Sequence, residues 1–170
     1  EGDGLSRREG LRDDAAGEAF DKFAQLVGLG FPGGIQVDRL SQKGNETRFD
    51  FPRPLHQKGD LSMSFSGLKS AAQRLIASMA PEVVRESLED LCASFQKAVV
   101  DTLMGKLKEA QAATGIRDIT ITGGVSANSR LRKEAANWAL QNKFNLVLPP
   151  LVYCTDNAAM IGLAGAKRLE

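Results

Sequence analysis

Two adjacent glycines, Gly123 and Gly124, join a strand-like run at residues 118–122 to a helix-like run at residues 131–141. Glycines at such a junction let the backbone approach a ligand closely, and the start of the following helix offers unpaired N–H groups. Proteins of the α/β class commonly hold a nucleotide in this way. A plain strand-to-helix turn would use the same residues, so both interpretations stay open at this point.

Two carboxylates form a second group of residues that could do chemistry. Asp14, Gly17 and Asp21 lie at positions i, i+3 and i+7 of a helical pattern, hence on one face. Such a face can accept ribose hydroxyls or an amine. Glycine inside a helix costs about 1 kcal/mol relative to alanine, so we interpret Gly17 as a point of close approach. The alternative is a solvated acidic face on which Glu18 and Lys22 form an i, i+4 pair.

Charged residues near two further helix starts form the third group. Thr155 is expected to be the N-cap of the last helix, with Asp156 at its first position, where a carboxylate complements the helix dipole. Arg130, Arg132 and Lys133 fall in the first turns of the preceding helix, where cations oppose that dipole. An anionic partner such as RNA would compensate them, and so would exposure to water and salt.

Apolar spacing and turn residues predict the elements that must position these groups. Residues 1–12 show no apolar periodicity and are expected to form a polar junction, and the only histidine, His56, falls in a polar loop as a solvated side chain. Helices are predicted over 13–27, 36–43, 68–79, 81–110, 131–141 and from 156 onward, and strands over 61–66, 118–122 and 145–148.

The composition excludes several classes of protein. With 170 residues, 42% apolar content and a net charge of +1, the chain can bury a sizeable core and lacks the bulk positive charge of many nucleic-acid-binding domains. No apolar run approaches the length of a membrane span. Two cysteines without Cys-x-x-Cys spacing favour a reducing compartment, with cytoplasm as the default. The phosphate-loop, zinc-protease and serine-hydrolase motifs are absent.

Five motifs in order carry a resemblance to a known family. They are DDAAGEAFDK at 13–22, PGG at 32–34, FSGLK at 65–69, TGGVSAN at 122–128 and CTDNAAMI at 154–161. Together they closely resemble the TsaD family, which implies an α/β, helix-rich lobe of the actin-like ATPase fold (the ASKHA, ribonuclease H-like class). The resemblance covers residues 13–170 as a second-lobe region and only the later half of a typical member, so the lobe is incomplete relative to the two-lobed fold.

The resemblance implies a tRNA-modifying acyltransferase. Members transfer the threonylcarbamoyl group of threonylcarbamoyl-AMP to N6 of the adenosine 3′ of the anticodon. By this resemblance Asp21 and the backbone at Gly34 hold the adenylate, Asp38 touches its ribose and Asn128 contacts its nucleoside part. Asp156 would be a ligand of one divalent metal, iron(II) or zinc, which would orient and polarise the transferred group. No general base is assigned, and the implied partners are tRNA and TsaB-type and TsaE-type proteins, without a membrane.

The chain departs from the family pattern at its beginning. The paired metal histidines and the Ser-Gly-Gly loop of the first lobe are absent, and Ile35 stands where the family often has proline. We expect either that the chain is part of a longer protein or that a second chain supplies the first lobe. The chain alone is then expected to bind metal weakly and to have no transfer activity. The alternatives are a non-catalytic module that binds a nucleotide or a partner, and a sugar-kinase-type ATPase lobe, which would not predict the string at 13–22.

Overall fold

Helices make up most of the described residues, which are 15–53 and 63–169 of this computed structural model. The chain divides into two compact units, residues Glu1–Thr114 and Gly115–Glu170. The described helices of the first unit are α1 (Ala16–Leu26), α2 (Gly33–Ser41), α3 (Ser66–Ala77), α4 (Pro81–Glu86) and α5 (Leu88–Thr114). The second unit contains β1 (Asp118–Thr120), α6 (Ser129–Asn142), β2 (Asn145–Val147) and α7 (Ala158–Leu169), with short 3-10 helices at Gly124–Ala127 and Leu151–Tyr153.

Helix α5 is the centre of the first unit. Every residue of 91–100 except Lys97 is buried, because apolar or small side chains occur on all sides of this stretch. Helix α2 packs on α5, and α1 packs on α2 and α3. Cys92 is fully buried, as expected for a small apolar side chain, and burial raises the pKa of its thiol to about 12.

Four phenylalanines join α1, α5 and the loop after α2 into one aromatic core. Phe23 stacks on Phe95 with ring centroids 4.0 Å apart, and Phe20 meets the same ring edge-on at 5.9 Å. Phe51 contacts Phe95 edge-on at 5.6 Å and Phe23 at 6.2 Å. All four side chains are at most 2% exposed. Stacked and edge-on pairs of this kind add to the hydrophobic stabilisation from burial, so this cluster holds α1 against α5.

The turn after α2 is pressed against the first turn of α5. A Cβ at Gly44 would overlap the backbone carbonyl of Glu89, so only glycine fits there. Asp90 accepts hydrogen bonds from the backbone N–H of Asn45 at 2.6 Å and from the Arg48 guanidinium at 2.7 Å. These two donors, in that order, hold the pKa of Asp90 below its ordinary value of 3.8. The contacts fix the end of α2, and therefore its direction.

The second unit is built on a strand–helix–strand arrangement. Strands β1 and β2 are parallel, with Asp118 opposite Asn145 and Thr120 opposite Val147, and α6 connects them. A helical crossover is the usual connection between parallel strands. Lys143 ends α6 in the left-handed region at φ 57°, and the backbone then enters β2. This arrangement confirms the expected α/β character and the helix-rich composition.

Several predicted elements are confirmed within a few residues: α1, α3, β1, α6 and β2. Helix α2 begins at Gly33, three residues earlier than expected. The predicted strand at 61–66 is wrong for 63–66: residues 63–65 form neither helix nor strand, and Ser66 is the first residue of α3. The carbonyl of Phe65 already accepts a helical hydrogen bond from the backbone N–H of Lys69 at 2.9 Å. The polar junction at 1–12, Asp14, His56 and residues 61 and 62 lie outside the described residues.

The predicted continuous helix at 81–110 is also wrong, because it is two helices. Ser87 separates α4 from α5 with φ −100° and ψ 10°, and it is buried. Apolar residues keep the helical spacing on both sides of Ser87, so Val84 and Leu91 are buried as the spacing predicted. Spacing alone therefore did not reveal the break.

Candidate functional site

The predicted adenylate residues of the first unit lie on two packed helices. Asp21 is on α1, and its Oδ1 accepts a hydrogen bond from the backbone N–H of Gly33, the first residue of α2, at 2.8 Å. A carboxylate there satisfies one of the unpaired donors of the helix start and complements its dipole. Asp21 is half-buried, and a carboxylate can accept several hydrogen bonds. It can therefore cap α2 and still accept a hydroxyl.

Two neighbouring glycines at the start of α2 have different surroundings. A Cβ at Gly33 would lie 2.6 Å from Ala24 Cβ and 2.8 Å from Asp21 Cα, both too close, so packing of α2 on α1 requires glycine here. A Cβ at Gly34 would meet only Phe20 Cβ, at an ordinary 3.9 Å. Packing thus explains Gly33 and leaves Gly34 unexplained. Close approach of a ligand backbone or phosphate is a physical reason for a glycine at the second position.

Asp38 follows Gly34 by one helical turn, so the two residues share a face of α2. Asp38 is half-buried, and its backbone carbonyl accepts a hydrogen bond from the Ser41 hydroxyl at 2.8 Å. Asp21 lies against the start of that same helix. The structure thus places the three predicted residues of this unit on or beside the first turns of α2.

The glycine pair of the second unit makes the turn that the sequence predicted. Gly123 has φ +86°, a conformation that side chains disfavour, and Gly124 begins the 3-10 helix that follows β1. Asn128 then serves as the N-cap of α6: its Oδ1 accepts a hydrogen bond from the backbone N–H of Leu131 at 3.0 Å, and the residue is only 7% exposed. One donor at this helix start is therefore already satisfied by the protein.

Asp156 differs from its predicted placement. Helix α7 begins at Ala158, so Asp156 lies ahead of it and is exposed, and Thr155 is not the N-cap. The cap is Asn157, whose Oδ1 accepts a hydrogen bond from the backbone N–H of Met160 at 3.1 Å. Among the described residues, no group of three or more His, Cys, Asp or Glu side chains could hold a metal ion. Asp156 by itself thus does not make a metal centre.

Comparison with known proteins decides the family. The family model described as "TsaD: tRNA N6-adenosine threonylcarbamoyltransferase" matches residues 3–163. The chain belongs to the TsaD family. A protein of Bdellovibrio bacteriovorus named tRNA N6-adenosine threonylcarbamoyltransferase is 55% identical over 158 residues, which are 93% of this chain and 46% of that relative. Relatives with the same name from Thermosipho africanus and Fervidobacterium nodosum are 47% and 45% identical, over 91% and 93% of this chain.

This member of the TsaD family spans about half the length of the curated relatives it matches, and the matched half is the later one. The family match includes all five site residues that the resemblance implied and begins ten residues before the first motif. In the described part of the chain, none of the helices combines the length and the apolar character that a membrane crossing needs.

Two of the three cations at the start of α6 in this TsaD chain, Arg130 and Arg132, have partners that the sequence analysis did not identify. Arg130 Nε is 2.7 Å from Glu134 Oε1, one turn along the helix. Arg132 donates to two backbone carbonyls, of Ser126 and Pro149, at 2.8 and 3.0 Å. An i, i+4 spacing in the sequence could have indicated the first pair. Nothing in the sequence indicated the second, since its partners come from loops brought together by the fold.

The expected pair between Glu18 and Lys22 on α1 was one of the alternatives for the acidic face. Glu18 Oε1 instead lies 3.2 Å from Lys69 Nζ on α3. The acidic face of α1 is therefore partly used to dock α3. Asp21, one turn beyond Glu18, is used to dock α2.

Proposed function

We propose that this chain is the second-lobe part of a tRNA-modifying acyltransferase with an actin-like ATPase fold. The whole protein would transfer the threonylcarbamoyl group from threonylcarbamoyl-AMP to N6 of the adenosine 3′ of the anticodon. In that step the adenosine amine attacks the carbamoyl carbon and a C–N bond forms. The bond from that carbon to the phosphate oxygen breaks, AMP leaves, and the amine loses a proton. We assign no general base.

The observation that carries this proposal is the family match over residues 3–163, which includes every candidate residue. The relatives that bear the transferase name are up to 55% identical to this chain. The different surroundings of Gly33 and Gly34 support it, because packing within the chain accounts for the first glycine only.

The proposal gives each candidate residue a role that its chemistry supports. The carboxylates of Asp21, beside the start of α2, and of Asp38, on α2, would accept hydrogen bonds from ribose hydroxyls. Gly34 would allow the adenylate to approach the start of the same helix. Asn128 would contact the nucleoside part in addition to capping α6. An adenylate held in this way would present its acyl group in a fixed orientation to the incoming amine.

The metal and the partners belong to the proposal for the whole protein. Asp156 would be one ligand of an iron(II) or zinc ion, and a carboxylate suits such an ion. The described residues do not themselves supply a metal centre, so no catalytic step is assigned to the ion. The proposed partners are tRNA and TsaB-type and TsaE-type proteins, and the proposed location is the cytoplasm.

The test is tRNA modification by the whole protein that contains this chain. Unmodified tRNA transcripts would be incubated with threonylcarbamoyl-AMP and partner proteins, and the nucleosides would be analysed by mass spectrometry after digestion. The Bdellovibrio relative serves as the positive control. We expect N6-threonylcarbamoyladenosine to form. If the relative makes this nucleoside and the protein does not under matched conditions, the proposal is wrong.

A substitution at Asn128 separates its two roles. Serine is as good an N-cap as asparagine, so Asn128→Ser should leave the melting temperature nearly unchanged while removing the amide that would contact the nucleoside. We expect modification to fall by about tenfold or more, the loss of roughly one hydrogen bond to the ligand. Unchanged modification in this variant would remove Asn128 from the site.

The second candidate function is a non-catalytic module that binds a nucleotide or a partner protein. The two candidates differ in one measurement: AMP binding without any modified nucleoside in the complete assay favours the module.

A further inference from the structure

A single arginine of the second unit links the loop after β1 to the loop after β2. Arg132 Nη1 donates to the carbonyl of Ser126, in the 3-10 helix after the glycine pair, at 2.8 Å. Its Nη2 donates to the carbonyl of Pro149, which follows β2, at 3.0 Å. Nη1 also lies 3.8 Å from Cys154 Sγ. Two loops, the one that contains Ser126 and the segment 149–154, thus meet at one guanidinium.

These loops are at the carboxyl ends of the two parallel strands, the edge where α/β proteins bind ligands. The residue two positions after Ser126 is Asn128, and the residue two positions after Cys154 is Asp156. Ser126 and Cys154 are 1% and 2% exposed, so the contacts of Arg132 reach well-packed parts of both loops. A shift of either loop would move Asn128 or Asp156.

We propose that Arg132 is a positioning residue that holds the glycine-pair loop and the segment 149–154 in the arrangement that binds the adenylate. The inference rests on the proposed function, because Asn128 and Asp156 receive their ligand roles there. The rigid, planar guanidinium can donate to two carbonyls in different directions, and a lysine ammonium on a flexible chain does not reproduce that geometry.

Arg132→Lys in the whole protein tests the inference, with Arg117→Lys as the matched control. Arg117 also donates to a loop carbonyl of the same unit, that of Lys143 at 3.1 Å, but at the amino ends of the strands. Both variants keep the charge and lose an arginine-to-backbone contact. Only the first should affect the proposed ligand edge.

The first measurement is alkylation of Cys154 by iodoacetamide, quantified by peptide mass spectrometry. Losing the hydrogen bond to the half-buried carbonyl of Pro149 should loosen the segment 149–154, so we expect Cys154 to react about tenfold faster in Arg132→Lys. Cys92 in the other unit is fully buried and should stay unreactive, which shows that the protein has not unfolded globally. An unchanged rate at Cys154 would overturn the inference.

The second measurement is AMP binding by calorimetry. We expect the Kd for AMP to rise by about tenfold in Arg132→Lys and to stay unchanged in Arg117→Lys. Faster alkylation with an unchanged Kd would make Arg132 a structural brace only and refute its positioning role, and so would a wild-type protein that does not bind AMP. A wild type that binds AMP but never modifies tRNA would refute the proposed transfer reaction and leave the positioning role supported.

Discussion

Exchanging the two glycines at the start of α2 for alanine should affect two different properties, the stability of the fold at Gly33 and AMP binding at Gly34. In Gly33→Ala the new methyl would lie 2.6 Å from Ala24 Cβ and 2.8 Å from Asp21 Cα. Neither atom is the end of a flexible side chain, so α1 and α2 must move apart. Overpacking of this kind costs about 1–3 kcal/mol. The same movement strains the 2.8 Å hydrogen bond from Gly33 to Asp21.

In Gly34→Ala the methyl would meet only Phe20 Cβ at 3.9 Å, so no atom has to move. Alanine is favoured over glycine in helices by up to about 1 kcal/mol. We therefore expect this variant to be as stable as the wild type or slightly more stable. If the backbone at Gly34 admits the adenylate, the added methyl should weaken AMP binding by about tenfold or more, the equivalent of about 1.4 kcal/mol.

The assay pairs thermal unfolding with calorimetric AMP binding for both variants of the whole protein. A cost of about 1–3 kcal/mol should lower the Tm of a whole protein of the relatives' length by a few degrees, and we expect that fall for Gly33→Ala alone. Wild-type AMP affinity in Gly34→Ala would show that the glycine is not at the adenylate. An unchanged Tm in Gly33→Ala would refute the close packing of α1 and α2.

Substitutions at three further positions each test one structural feature. Asp21→Ala removes the cap of α2 and should lower the free energy of unfolding, measured by thermal unfolding, by about 0.5–2 kcal/mol. Asp21→Asn keeps an acceptor oxygen, so this variant should lose less stability while still binding AMP more weakly. Equal stability losses in the two variants would contradict the capping role. Gly123→Ala places a side chain at φ +86° and ψ 175°, a region that is essentially restricted to glycine, so we expect the free energy of unfolding to fall by about 1–3 kcal/mol. Chemical denaturation would measure this loss, and an unchanged stability would refute it. The pKa of Asp90 is lowered in the folded state, so the contacts of this carboxylate stabilise the fold at pH values above its ordinary pKa of 3.8. This contribution is lost as the pH falls through the pKa of the folded state. The Tm difference between wild type and Asp90→Asn should therefore be present at pH 7 and vanish in acid, and a difference that persists in acid would refute the role of these contacts.

The elements that the sequence predicted well are those with a long periodic pattern or clear turn residues. The apolar spacing along α1 and the glycine pair between β1 and α6 both correspond to the structure. The early start of α2 was missed because Gly33 and Gly34 have low helix propensity, and its cap, Asp21, comes from another helix. Local patterns cannot indicate a partner twelve positions away.

The motifs allowed candidate residues to be chosen, but they did not predict most of the contacts that these residues make. Asp21 and Asn128 were chosen as ligand residues, and each also turned out to cap a helix start. Asn128 directly precedes α6, so its cap role was visible in the sequence. The contacts of Arg132 were not, because Ser126 and Pro149 come together only when β1 and β2 pair.

The burial of α5 on nearly all sides restricts which substitutions the first unit can accept. From Leu91 to Val100 only Lys97 is not buried, so a new charge at any other position of this stretch would be desolvated without a counter-charge. Volume changes are equally constrained there, since the four-phenylalanine cluster fills one side of the helix. Apart from Gln96, whose amide donates a hydrogen bond to the Ser41 hydroxyl at 2.7 Å, natural variation at the buried positions of this segment should therefore consist of exchanges among small and apolar residues.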